Sequence, residues 1–89
     1  LTAQLAKDCA ADGITVNAVA PGLILGDAGT RIRDRFDALP ESERARMLAA
    51  IPAARPGTAD EVAGMLASLL SGAAGYINGA TIAIDGAAS

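Results

Sequence analysis

Pro21-Gly22 stands at the end of the apolar alternation Ile14–Ala20, and it is where this chain could stage chemistry. A backbone that leaves a strand's carboxyl end through Pro-Gly can turn over a ligand crevice, and a missing Cβ permits close approach. Gly22, Gly26 and Gly29 follow that strand and precede a charged segment, as a phosphate-cradling loop would. The segment downstream is charged rather than sheet-packing, however, so no separate phosphate site is read here. Five of the seven basic residues lie between Arg31 and Arg46, but Asp34, Asp37, Glu41 and Glu43 are interleaved and nearly cancel their field. There is no histidine, which removes imidazole acid–base chemistry, a Ser-His-Asp triad and a Cys/His zinc site. Cys9 is the single cysteine, so there is no intramolecular disulfide, and it reads as a small core residue.

The elements that must position these residues follow from spacing. Leu1, Leu5 and Cys9 share one face of a helix over residues 1–12, with Gly13 as its stop. Ile14–Ala20 reads as a strand ended sharply by Pro21-Gly22. Residues 22–30 read as a glycine-spaced loop and 31–50 as two short helices broken at Leu39-Pro40. Acids come first in the second helix and Arg44 and Arg46 later, matching the helix dipole. Ile51–Gly57, with two prolines and a glycine, is a connector. Thr58-Ala59-Asp60-Glu61 is a capping box, followed by the apolar stripe Val62, Met65, Leu66, Leu69 and Leu70 and a stop at Gly72. Ala80–Asp85 reads as a last strand with Ile82 and Ile84 on one face. Two strands joined through a capped helix predict a right-handed βαβ crossover and a parallel pair. Asn17, mid-strand, is expected to tie neighbouring loops through its amide. Arg55 is placed to pair with Glu61.

Composition sets the scale. The 89 residues are 52% hydrophobic, but alanine supplies 22 of them and the only aromatics are Phe36 and Tyr76. Small side chains give little transfer energy per residue, so a free-standing core is doubtful on these numbers. A parallel sheet also needs cover on both faces and more than two strands. The elements read as α/β, one end of a larger doubly wound parallel sheet, with residues 1–89 forming one piece of a single domain. The chain begins at Leu1 rather than Met, and further sequence is expected upstream. The net charge of −3 argues against a nucleic-acid partner. No apolar run reaches the roughly 20 residues of a membrane span, and no basic-then-apolar leader is visible. A cytoplasmic location is the expectation.

Three ordered segments carry a family resemblance. Gly13-Ile14-Thr15-Val16-Asn17-Ala18-Val19-Ala20-Pro21-Gly22 resembles the stretch after the catalytic helix of classical short-chain dehydrogenase/reductases. Ile51-Pro52-Ala53-Ala54-Arg55-Pro56-Gly57-Thr58-Ala59-Asp60-Glu61-Val62-Ala63 resembles that family's connector and penultimate helix, and Gly79–Gly86 its final strand. The spacing of Gly22, Gly26 and Gly29 is one residue longer than the family's glycine fingerprint. The resemblance implies that residues 1–89 are the C-terminal part of a Rossmann-type doubly wound parallel sheet. It also implies a nicotinamide cofactor, NAD or NADP, held by Pro21, Gly22, Leu23 and Ile24, with the main chain at Ile24 bonding the carboxamide. Relatives often place a threonine where Gly26 stands here. It further implies a mobile lid over about residues 26–50, with Ile32, Phe36, Leu39, Met47 and Leu48 on its underside. A small-molecule carbonyl or alcohol substrate and homo-oligomer contacts through 58–72 and 80–86 are also implied. The resemblance implies that the catalytic serine and Tyr-x-x-x-Lys pair precede the matched region, and Tyr76, with no lysine at i+4, is not a substitute. Relatives also carry a second glycine where Ala87 stands. The alternative function is a non-catalytic βαβ module for self-association or scaffolding.

Overall fold

The computed structural model describes residues 1–89. Helix α1 (Thr2–Cys9) runs into a short 3-10 turn at Ala10–Asp12, and Gly13 closes it at φ +76°, the left-handed conformation expected of a stop. Strand β1 (Ala18–Pro21) pairs in parallel with β4 (Thr81–Ile84), in the register Ala18 to Thr81 through Pro21 to Ile84. The parallel pair is as expected, but its bounds are not. The ladder starts at Ala18 rather than Ile14, because two asparagines take over at its entry. The Asn17 amide donates to Ile77 O at 3.0 Å and accepts the Ala80 N–H at 3.0 Å. Asn78 Oδ1 accepts the Val16 N–H at 2.8 Å, and the Gly79 N–H donates to Val16 O at 2.8 Å.

At the other end, β1 continues through Pro21 instead of stopping at Ala20. Ala18 and Gly22 donate to Ala80 O and Ile84 O at 2.9 and 3.0 Å. Strand alternation then turns the nitrogen of Pro21 to the opposite edge, where a missing N–H costs no ladder bond.

The loop after Pro21 holds a second ladder that periodicity did not disclose. Strand β2 (Ile24–Leu25) pairs in parallel with β3 (Gly57–Thr58). Beyond it lie α2 (Arg31–Asp37) and α3 (Glu41–Ala49), broken at Leu39-Pro40 as the sequence predicts. Arg44 holds the break: its guanidinium donates to Asp37 O at 2.9 Å and to Leu39 O, capping the end of α2 from α3. Neither helix packs broadly on the sheets, and Ile32 stays 62% exposed. Helix α4 (Ala59–Leu69) starts from the full capping box at Thr58 and Glu61. It ends at Leu70 in the right-handed conformation, so Gly72 is not its stop but opens a 3-10 turn at Gly72–Ala74.

Only Ala6, Leu25, Ile51 and Ala74 are buried. The chain exposes 6152 Å², against about 4,800 Å² for a compact monomer of its mass. Its radius of gyration is 16.3 Å, where a compact chain of this length would have about 12 Å. On α4 the apolar stripe lies partly open, with Leu66 44% and Leu70 88% exposed. A parallel sheet needs helices over both faces, and these helices supply only part of that cover. No helix is long and apolar enough to cross a membrane.

Candidate functional site

The four residues from Pro21 to Ile24 carry the chain from one ladder to the next, at the carboxyl end of β1. Gly22 is fixed from two sides. Its N–H is bonded to Ile84 O, and a Cβ built on it would lie 2.8 Å from Asp85 Cβ and 3.1 Å from Asp85 Cα. The missing Cβ thus admits the neighbouring strand end. Leu23 O accepts the Gly57 N–H at 2.9 Å. In a parallel ladder successive residues bond on alternate sides, so the N–H and C=O of Ile24 face away from β3. One outward donor and one outward acceptor on a single residue match the acceptor and donor of a carboxamide. The residues present therefore fit the nicotinamide end of a dinucleotide cofactor.

The glycine-spaced loop has no free amide cradle at Gly29. Its N–H donates to the Asp34 carboxylate at 3.2 Å, and the Thr30 hydroxyl donates to Asp27 O at 2.9 Å. Beyond β2, Leu25, Gly26, Asp27, Arg33, Thr58 and Asp60 border an open recess of about 360 Å³, within the size range of small-molecule sites. A second cavity of about 60 Å³, between Leu23, Ile51, Arg55 and Asp85, is too small for a ligand of that kind.

β3 is held by its own sequence neighbours. Arg55 forms a two-pronged ion pair with Glu61, at 2.8 and 2.9 Å. Glu61 Oε1 also accepts the Thr58 N–H at 3.0 Å, while Thr58 Oγ1 accepts the Glu61 N–H at 3.1 Å. The Arg55 guanidinium, then the Thr58 N–H, hold the Glu61 carboxyl down at about 2, from an ordinary 4.5. A folded-state value below the unfolded one stabilises the fold above the unfolded value and is lost as pH falls. Thermal melts of wild type and Glu61→Gln should differ most above pH 4.5 and converge as the pH approaches 2. A constant difference across that window would remove Glu61 as its source.

The turn after β4 completes the site's frame. The Asp85 carboxylate accepts the Ala87 and Ser89 N–H groups, both at 3.1 Å. Hydrogen bonding from Ser89, then from Ala87 and Ala88, holds its carboxyl below the ordinary value. Ala87 takes φ +73°, a left-handed conformation that disfavours a side chain, at the position where the resemblance has glycine. Ala87→Gly should stabilise the fold by about 0.5–1 kcal/mol, read as a raised melting temperature. An unchanged or lowered melting temperature would contradict that reading of the turn.

Spacing alone did not show β3 as the support of Pro21–Ile24, and it gave Arg44 only as a charge matching the helix dipole. A strand of two residues shows no alternation, and a long-range cap has no spacing rule.

Comparison with known proteins bears on all 89 residues. The family model described as Enoyl-(Acyl carrier protein) reductase matches residues 1–89. The chain is 45% identical over 86 residues to Protein FixR of Bradyrhizobium diazoefficiens, covering 97% of this chain and 27% of that protein. It is 46% identical over 83 residues to the 3-oxoacyl-[acyl-carrier-protein] reductase FabG of Escherichia coli, covering 93% of this chain and 31% of that one. Among solved structures, YwfH, described as an NADPH dependent reductase involved in bacilysin biosynthesis, superposes with a TM-score of 0.82 at 29% identity. That match covers 99% of this chain and 35% of YwfH. The chain thus spans about a third of the length of the relatives it matches. With its parallel strands, its helices and a family-model match over residues 1–89, it belongs to the short-chain dehydrogenase/reductases.

Proposed function

We propose that the polypeptide carrying these residues is an NAD(P)-dependent oxidoreductase acting on a small carbonyl or alcohol substrate. The observation that carries the reading is the outward-facing N–H and C=O of Ile24 at the carboxyl end of a parallel strand. That is where open α/β sheets bind their ligands. The names of FabG and YwfH, a 3-oxoacyl reductase and an NADPH dependent reductase, support the same reaction class.

In this reading, the bound nicotinamide supplies the gain or loss of a hydride. Ile24 orients the carboxamide by two main-chain hydrogen bonds, and Pro21–Leu23 hold Ile24 at the end of β1. Residues 26–50 close over the recess beside Leu25 and Thr58 and exclude water from it. The proton that accompanies the hydride is exchanged by a tyrosine–lysine pair outside residues 1–89, so this chain alone is inactive. The open stripe on α4 and the uncovered edge of β4 support homo-oligomer contacts through 58–72 and 80–86.

The test is oxidation of NADPH or NADH by the full-length polypeptide with a panel of 3-oxoacyl thioesters and simple ketones. Turnover with at least one pair is expected. No turnover with either coenzyme, by a folded protein, would overturn the proposal in favour of a non-catalytic association module.

A further inference from the structure

We propose that Arg55 and Glu61 are positioning residues for cofactor binding, acting on Ile24 through β3. This deepens the reading above and rests on it. The link is a short run of bonds. Arg55 grips both oxygens of Glu61, and one of those oxygens takes the Thr58 N–H. The residue before Thr58, Gly57, donates its N–H to Leu23 O. A Cβ at Gly57 would lie 2.6 Å from Ile24 Cδ1, so β3 sits directly against the Ile24 side chain.

The ion pair is open to solvent, with its side chains 58% and 43% exposed, and what it steadies is a two-residue ladder. The ladder contains only Ile24–Leu25 and Gly57–Thr58, whereas isolated strand pairs of any length are marginal. Its partner strand is anchored at one end by helix α4 and at the other by the connector that carries Arg55. The guanidinium also donates to Pro56 O at 3.1 Å, which closes the connector onto the same ion pair. Removing the pair frees β3 to shift, and with it the direction in which Ile24 presents its donor and acceptor. The planar, two-pronged geometry suits arginine, and lysine supplies only one donor at a time.

The experiment is fluorescence titration of NADPH and NADH into the full-length polypeptide and its Arg55→Met, Arg55→Lys and Glu61→Gln variants. It is read beside hydrogen exchange at the Gly57 amide, well below each variant's melting temperature. Arg55→Met should raise the coenzyme Kd about fivefold, the net worth of about one hydrogen bond, and speed Gly57 exchange. Arg55→Lys should fall between it and wild type. A merely structural pair would lower the melting temperature and leave the Kd of the folded protein unchanged. That outcome, in Arg55→Met or in the milder Arg55→Lys if the former does not fold, overturns the assignment alone. Failure of the wild type to bind either coenzyme overturns the proposed function, and this inference with it.

Discussion

Gly22→Ala is expected to destabilise the fold by about 2–3 kcal/mol, because overpacking here meets backbone rather than a flexible side chain. The new Cβ would stand 3.1 Å from Asp85 Cα and 2.8 Å from its Cβ. Neither atom can rotate away. Relief requires β1 and β4 to part at their carboxyl ends, breaking the Gly22 N–H bond to Ile84 O. The same movement carries Leu23 and Ile24 with it, so coenzyme affinity should fall together with stability. Denaturant melts of the full-length polypeptide check the first effect, and coenzyme titration the second. A variant as stable as wild type would show that Gly22 is a turn residue with free space beside it.

Asn17→Leu is the second large effect, at about 1–2 kcal/mol, since leucine branches at the same carbon but has no amide. It strips Ile77 O and the Ala80 N–H of their side-chain partners at the entry to the main ladder. Asn17→Asp separates the two bonds, since a carboxylate still accepts from Ala80 but faces Ile77 O with like charge. Asn17→Asp should therefore fall between wild type and Asn17→Leu at neutral pH, and recover toward wild type on acidification. Equal stability of all three proteins would mean that the backbone bond from Gly79 to Val16 O sets the register unaided.

These two residues also show what could be read from sequence and what could not. Asn17 was legible as a tie because a half-buried amide in a strand must find partners, but those partners, some 60 residues away, were not. The existence of the β1–β4 pair was legible from alternation. Its start was not, since Ile14–Asn17 alternate as well as the ladder does while Asn17 and Asn78 occupy its entry. The capping box at Thr58 was fully legible, because both halves lie within four consecutive residues. Strands β2 and β3 were invisible for the opposite reason: two residues have no period, and Gly57 sits among prolines. The α4 stripe was legible as apolar, yet Leu66 and Leu70 find no core within this chain. Within the candidate site, the choice of Pro21–Ile24 rests on family resemblance rather than on spacing. The outward turn of Ile24 depends on Gly57 bonding Leu23, a contact between residues 34 positions apart.

The proposed function turns on Ile24 presenting its main chain to a nicotinamide cofactor. The most direct measurement is the amide NMR shift of Ile24 as NADPH or NADH is titrated into the isotope-labelled full-length polypeptide. A saturable shift at Ile24 and Leu23 that follows the coenzyme binding curve is expected. Saturation of the protein by coenzyme with both amides unmoved would contradict it.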